Sequence, residues 1–120
     1  MQVLKFGGTS VANTENINKV VAIVKETMKK DNTVMVVSAL GGVTDLLLDA
    51  AALAAEGDET YREKLTITEQ RHLEAVKQLI PVAQQSHLLS IVKQGCNEIE
   101  DICNGIFLLA ELTSRSKDRI

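Results

Sequence analysis

A lysine inside an apolar strand, followed at once by glycine and hydroxyl residues, is the first feature of this sequence that could do chemistry. The stretch is VLKFGGTSV, residues 3–11, in which Lys5 stands just before a Gly-Gly-Thr-Ser run. A second segment, SALGGVT at residues 38–44, again combines two glycines with hydroxyl side chains. Glycine lets backbone N–H groups approach a ligand closely, and lysine supplies a positive charge. The two segments together are typical of a site for phosphate or another anion.

Regular elements surround these segments. Residues 2–6 and 33–37 are short, Val-rich and almost continuously apolar, which predicts strands covered on both faces in a parallel sheet. Between them, apolar residues recur at helical spacing, and Asn13 or Thr14 can cap the start of the helix. These apolar residues are Ile17, Val20, Val21, Val24 and Met28. The sequence therefore predicts a βαβ unit, whose crossover we expect to be right-handed.

Both glycine segments leave the predicted strands at the same edge of the sheet. The carboxyl ends of parallel strands share one edge, where open α/β proteins bind ligands, and each segment leads into a positive helix N-terminus. A partly buried Lys5 ammonium would find its partner in a bound phosphate. Neither segment is a P-loop or a G-x-G-x-x-G motif. Two simpler interpretations stay open: the lysine reaches water while the glycines only make turns, and Ser38 and Thr44 only cap the second helix.

The rest of the chain is predicted to be helical. A second helix follows residue 43 and stops near Gly57, a third ends or bends at Pro81, and one or two more extend to about residue 109. The predicted organisation is a βαβα unit with two glycine-rich loops over residues 1–57, then a helical segment of the same domain over residues 58–120.

Composition excludes several classes of protein. Apolar residues make up 45% of the 120, the net charge is −3 and the pI is about 5.4, so a basic face for nucleic acid is not expected. No apolar run approaches the roughly 20 residues of a membrane-spanning helix, and the first residues do not resemble a signal peptide. Cys96 and Cys103 are seven residues apart in a helical pattern, too far for a disulfide, which predicts reduced thiols in a cytoplasmic protein.

The two motifs together resemble a known family. KFGGTSV, followed some 30 residues later by VVSALGGVT, is similar to the N-terminus of aspartate kinases in the amino-acid kinase family. The resemblance is strong over residues 2–56. The helical remainder is similar to the segment that precedes the next active-site motif, particularly in aspartate kinases fused to homoserine dehydrogenase. It implies an α/β fold, the N-terminal part of the amino-acid kinase (carbamate kinase-like) fold, in which a βαβ unit is followed by a helix-rich segment.

The resemblance also implies an activity and a set of site residues. The family transfers the γ-phosphoryl group of ATP, with Mg²⁺ bound mainly through the nucleotide, to the β-carboxylate of L-aspartate, the first step of lysine, threonine and methionine biosynthesis. Lys5 would be catalytic and contact the phosphates, and Ser38 and Thr44 would contact aspartate. The remaining residues expected at the ATP phosphates are Gly7, Gly8, Thr9, Ser10, Gly41 and Gly42. ATP and L-aspartate are the expected partners, in a homo-oligomer without nucleic acid or membrane.

Part of the family pattern is not present. A Gly-Glu pair is expected shortly after the last helix, and Glu111 and Asp118 do not match it. We therefore expect these 120 residues alone to be inactive. Two alternatives remain: another amino-acid kinase with a different carboxylate acceptor, and a non-catalytic nucleotide-binding or assembly module that uses the same loops.

Overall fold

The structure is a computed structural model that describes residues 1–118, and it contains two strands and four helices in that part of the chain. In chain order they are β1 (Gln2–Phe6), α1 (Thr14–Met28), β2 (Thr33–Val37), α2 (Val43–Ala55), α3 (Tyr61–Leu79) and α4 (Val82–Asp118). The predicted strands are confirmed to the residue, and the predicted helices are all present. The final apolar pattern forms one helix of 37 residues.

The two strands form a parallel pair with α1 between them in the chain, as predicted. The register runs from Gln2 beside Thr33 to Phe6 beside Val37. Asn13 is the residue that caps α1, because its side chain accepts a 2.8 Å hydrogen bond from the backbone N–H of Asn16. This bond satisfies one of the helix's first four N–H groups, which have no partner inside the helix.

The strands are less covered than the sequence predicts. Successive side chains alternate between the faces, so Leu4 and Phe6 share one face with Met35 and Val37. All four residues of the segment 34–37 are nonetheless 43–50% exposed. The prediction of strands buried on both faces is therefore wrong for the described chain. The physical reason is that continuous apolar character requires two covering layers, and within the first unit α1 supplies one such layer, against β2.

The helices from α2 onward share a core of their own. Tyr61 is completely buried there, and its ring lies 5.6 Å from that of Phe107. The buried cluster consists of Ala50, Ala54, Tyr61, Cys103 and Phe107. Its residues come from α2, α3 and α4, so the apolar faces of these helices are used against one another.

Two turns shape this helical part. Gly57 has a φ of +75°, its N–H donates to Ala54 O at 3.0 Å, and Asp58 N–H donates to Leu53 O at 2.9 Å. This is a Schellman cap, so the predicted helix stop at Gly57 is confirmed. The extended Ile80 and then Pro81 separate α3 from α4, as predicted. Gln85 Nε2 donates to the carbonyls of Lys77 and Ile80, at 3.1 and 2.8 Å, and so satisfies acceptors left at the end of α3.

The chain divides into two compact units, Met1–Thr44 and a second that begins at Asp45. The boundary suggested by the sequence, after residue 57, lies in the turn between α2 and α3, whereas the structure divides the chain after residue 44. The difference arises because Ala50 and Ala54 of α2 are buried with residues of α3 and α4. Cys96 and Cys103 are both free, as expected. Among the described residues no helix has the length and apolar character needed to cross a membrane.

Candidate functional site

The first glycine segment folds as a tight turn directly after β1. Ser10 N–H donates to Gly7 O at 3.1 Å, which places Gly8 and Thr9 at the centre of the turn. Ala12 N–H makes a longer bond of 3.4 Å to Thr9 O. Within the described residues, the N–H groups of Gly8 and Thr9 donate to no protein acceptor. Two backbone donors are thus left for a ligand at the tip of this turn.

The second glycine segment lies against the first, as the parallel topology predicts. Ser38 N–H donates to Phe6 O at 3.1 Å, and Gly41 N–H donates to Val11 O at 3.4 Å. A Cβ added at Gly8 would lie 3.7 Å from the Cα of Gly41 and 3.8 Å from the hydroxyl oxygen of Ser38. The sequence-based expectation that the two loops converge at the carboxyl edge of the strands therefore agrees with the geometry.

Gly41 and Gly42 are required for different reasons. A Cβ at Gly41 would be 2.9 Å from the Cβ of Ala12, 2.9 Å from Gly8 O and 3.0 Å from the Cα of Ala12. Gly41 is therefore needed because the loops approach each other so closely. Gly42 has a φ of +80°, in the left-handed region that residues with a Cβ rarely adopt.

Lys5 lies in β1, paired in register with Val36 of β2. By the alternation of side chains it shares a face with Val3, Val34 and Val36, on the side of the sheet opposite Leu4 and Phe6. The sequence predicted a partly buried ammonium, whereas Lys5 is exposed. The reason is the same as for the valines: α1, the helix of the first unit, packs against β2 on the side of Met35 and Val37, opposite Lys5.

The four hydroxyl residues occupy different positions. Thr9 is exposed at the tip of the first turn, and Ser10 is half-buried beside it. Ser38 follows β2 directly, and its hydroxyl donates to Ala39 O at 2.8 Å. Thr44 is exposed within the first turn of α2, one residue after the helix begins. Neither Ser38 nor Thr44 makes a capping hydrogen bond to α2 among the described contacts, so the structure gives no support to the capping interpretation.

The structure adds one residue that the sequence reading missed. Asn16, in the first turn of α1, donates a hydrogen bond from its side-chain amide to Thr9 O at 2.9 Å. It also lines a cleft of about 300 Å³ beside the first loop. The cleft is lined by Phe6, Thr9, Ser10, Asn16, Lys19, Val20 and Ile23. The only sequence signal for this contact is a second asparagine, three residues after the capping Asn13.

Two other clefts in the chain have different chemistry. A groove of about 280 Å³ between α1 and β2 is lined almost entirely by aliphatic side chains, with Lys25 as its one charged residue, so it does not fit a phosphate chain. A cleft between α3 and α4 contains Glu69, which pairs with Lys93 at 2.6 Å. The hydrogen bond from Glu69 raises the pKa of Lys93, and burial raises the pKa of Cys96 in the same cleft. Glu69 and Lys93 thus form an ion pair beside a thiol that burial keeps protonated to higher pH.

No group of three or more His, Cys, Asp or Glu side chains in the described part of the chain is arranged to hold a metal ion. The candidate site itself contains a lysine, backbone donors and hydroxyls, which are groups that bind phosphate oxygens. A hard cation such as Mg²⁺ requires oxygen ligands, which the phosphates of a bound nucleotide supply.

Comparison with known proteins agrees with this fold. The sequence model of the Amino acid kinase family matches residues 1–114. The crystal structure of the aspartate kinase of Clostridium acetobutylicum superposes with a TM-score of 0.62 at 25% sequence identity, over 84% of this chain and 24% of that one. The predicted fold, a part of the amino-acid kinase fold, is confirmed by this similarity.

Curated relatives give the same result. Aspartokinase 1 of Arabidopsis thaliana chloroplasts is 32% identical over 119 residues, which are 97% of this chain and 20% of that protein. The chloroplastic bifunctional aspartokinase/homoserine dehydrogenase 1 of the same plant is 28% identical over 97% of this chain and 13% of that protein. An aspartokinase of Rickettsia prowazekii is 55% identical over 47 residues, 38% of this chain and 10% of that protein.

The chain thus spans a fifth or less of the length of these three relatives. The predicted resemblance to aspartokinases is confirmed, and it extends over nearly the whole chain in the plant proteins. Because the family model covers all but the last few residues and the fold agrees, this chain belongs to the amino acid kinase family.

Proposed function

We propose that this chain is the N-terminal part of an aspartate kinase, which transfers the γ-phosphoryl group of ATP to the β-carboxylate of L-aspartate. The observation that carries the proposal is the contact between the two glycine loops, where Gly8 and Gly41 approach within van der Waals distance at the end of a parallel strand pair. The similarity to aspartokinases supports this acceptor over other carboxylates, because the relatives reported above are all named for aspartokinase activity.

In the proposed reaction, the first loop binds the phosphates. The N–H groups of Gly8 and Thr9 have no protein acceptor among the described residues. Nothing lies within 4 Å of a Cβ added at Gly7, so the space beside it is open to a phosphate. The hydroxyls of Thr9 and Ser10 add donors at the same place, and Gly41 and Gly42 form the second wall. Lys5 places an ammonium near the end of β1, where it would neutralise the charge that moves to the bridging oxygen of the leaving ADP.

The second loop is proposed to orient aspartate. Ser38 and Thr44 stand at the two ends of this loop. The Thr44 hydroxyl can donate to a carboxylate oxygen of the substrate, while the Ser38 hydroxyl, which donates to Ala39 O, can accept from the substrate's ammonium group. A carboxylate oxygen of aspartate attacks the γ-phosphorus in line, the bond from that phosphorus to the β–γ bridging oxygen breaks, and ADP leaves. The protein's share of the catalysis is then positioning and charge stabilisation, with Mg²⁺ held mainly by the nucleotide phosphates.

The setting proposed for this activity is a cytoplasmic homo-oligomer. The two free cysteines and the absence of a membrane-spanning helix in the described chain are compatible with the cytoplasm. The proposed oligomer rests on the apolar side chains that the first unit leaves exposed on its sheet.

Substitution of Lys5 tests the proposal. In a complete kinase domain that contains these residues, Lys5→Ala should lower kcat roughly 10²–10⁴-fold, as expected for the loss of a charge at the transferring group. Lys30→Ala is the matched control, because Lys30 lies in the turn before β2 and has no proposed role. The readouts are ATP-dependent aspartyl hydroxamate formation and the circular dichroism spectrum. Near-normal turnover of Lys5→Ala with an unchanged spectrum would contradict the catalytic role.

A further inference from the structure

Asn16 connects the first glycine loop to the helix that follows it. Its backbone N–H is held by the capping oxygen of Asn13 at 2.8 Å, and its side-chain amide donates to Thr9 O at 2.9 Å. A carbonyl oxygen can only accept, so the amide nitrogen of Asn16 must be the atom that faces it. The side chain therefore joins a fixed position on α1 to a position seven residues earlier in the loop.

The bonded carbonyl controls the geometry of the turn. Thr9 C=O and Ser10 N–H belong to the same planar peptide unit, so fixing the direction of one fixes the other. Ser10 N–H closes the turn onto Gly7 O at 3.1 Å. The turn so closed is the one whose tip carries the free N–H groups of Gly8 and Thr9.

A second hydrogen bond to the same carbonyl is weaker. The bond from Ala12 N–H to Thr9 O is 3.4 Å long, at the outer limit of a useful hydrogen bond, whereas the bond from Asn16 has an ordinary length. The loop begins with two glycines, which have the largest conformational freedom to lose on ordering. A tether from a helix to such a loop reduces the freedom that a ligand would otherwise have to remove.

We propose that Asn16 is a positioning residue for the phosphate-binding turn: through Thr9 O it holds the Gly8 and Thr9 N–H groups in the direction in which they meet an anion. This inference rests on the proposed function, because the anion is the phosphate chain of ATP. It also makes a claim about the ligand-free chain, namely that the turn is ordered in advance by α1.

Paired substitutions on α1 test this claim. Asn16→Ala removes the tether, and Asn18→Ala is the matched control, because Asn18 is an exposed asparagine of the same helix with the same gain in helix propensity. In the ¹⁵N-labelled ligand-free chain, the amide hydrogens of Ser10 and Ala12 should exchange about tenfold faster in Asn16→Ala than in Asn18→Ala. Titration with Mg·ATP, followed by NMR, should show an affinity at least threefold weaker for Asn16→Ala.

A second pair of variants, Asn16→Asp and Asn18→Asp, separates an effect on the loop from an effect on the stability of α1. Asn16→Asp keeps the shape of the side chain but replaces the donor by an acceptor, while a negative charge in the first turn of a helix favours the helix. Asn16→Asp should therefore loosen the loop without lowering the melting temperature below that of Asn18→Asp, an outcome that a merely structural role would not produce.

The possible results are distinguishable. If the amide hydrogens of Ser10 and Ala12 exchange at equal rates in the position-16 and position-18 variants, the tether does not exist. If they exchange faster in the position-16 variants but the Mg·ATP affinity is equal, Asn16 has no positioning role for the phosphates. If the wild-type chain binds no Mg·ATP, its Gly8 and Thr9 N–H groups form no phosphate site and the positioning role is overturned. The exchange data still decide whether Asn16 orders the turn, and the Lys5 substitution in a complete kinase domain tests the proposed function separately.

Discussion

Substitution of Gly41 by alanine tests whether the close contact of the two loops is required for the first unit to fold. The new Cβ would lie 2.9 Å from Gly8 O and 3.0 Å from the Cα of Ala12. Both are backbone atoms, so no side-chain rotation can relieve the contact. Separations between such atoms are normally about 3.5 Å, so the loops would have to move apart by roughly half an ångström.

The size of the effect follows from two opposing contributions. Forcing a methyl group into a well-packed place costs about 1–3 kcal/mol. Replacing glycine by alanine also restricts the unfolded chain, which stabilises the fold by about 0.4–1 kcal/mol. The φ of Gly41 is not in the left-handed region, so no backbone strain is added. We therefore expect Gly41→Ala to lower the free energy of unfolding of the first unit by about 1–2 kcal/mol.

The assay is urea unfolding followed by the NMR signals of β1 and β2, which report on the first unit alone. With a slope of about 1 kcal/mol per molar urea for so small a unit, the midpoint should fall by about 1–2 M. Gly7→Ala is the control, because nothing lies within 4 Å of its added Cβ and its φ is not positive. That variant should be as stable as the wild type or slightly more stable.

A double substitution locates the clash. Ala12→Gly removes the methyl group that lies 2.9 Å from the added Cβ of Gly41→Ala, so the pair should show a favourable coupling of about 0.5–1 kcal/mol. An unchanged urea midpoint for Gly41→Ala, or a loss no greater than that of Gly7→Ala, would refute the conclusion that the loops depend on this contact.

Four further predictions follow from other parts of the chain. In a complete kinase domain, Thr44→Val should raise the KM for aspartate more than that for ATP, and a rise in the ATP KM alone would contradict the assignment of this residue to aspartate. Tyr61→Phe should raise the free energy of unfolding by about 1 kcal/mol in urea titrations, because the buried Tyr61 hydroxyl has no partner among the described residues, whereas a loss of stability would indicate a hidden partner. Burial raises the pKa of both cysteine thiols, and Cys103 is buried while Cys96 is only partly buried. A thiol reagent at pH 8 should therefore react with both thiols more slowly than with free cysteine, and more slowly with Cys103 than with Cys96. Faster reaction of Cys103 than of Cys96 would contradict the packing of α4. The 120-residue chain alone should form a dimer in light scattering, because its sheet has exposed apolar faces and open edges, and a stable monomer would contradict this expectation. The same chain should give no ATP-dependent hydroxamate, and a hydroxamate signal would contradict that expectation.

Much of the local structure could be predicted because its causes lie within a few neighbouring residues. Helical spacing of apolar side chains placed α1, and an asparagine before the first turn identified its cap. Gly57 marked the end of α2 because the left-handed conformation of a Schellman cap favours glycine. The convergence of the two loops could be predicted as well, since parallel strands end at a common edge.

Burial could not be predicted in this way. A Val-rich strand has the same sequence whether or not a second layer covers it, and the sequence therefore overestimated the burial of β2 and of Lys5. The partners of α2 were equally undetermined, because an apolar helix face does not specify which other face it meets. In the structure, Ala50 and Ala54 pack with α3 and α4, and the division into units consequently falls at residue 44.

The sequence by itself determined which segments are strands, helices and turns, and which residue types stand at the ends of the strands. Only the tertiary structure decided that Gly41 lies against Gly8 and Ala12, and that Asn16 reaches back to Thr9 O. Both contacts depend on the angle at which one loop or helix meets another, which is set by the packing of the whole unit. Periodicity and turn chemistry act within a window of a few residues, whereas such an angle is the sum of many weak contacts between residues far apart in the chain.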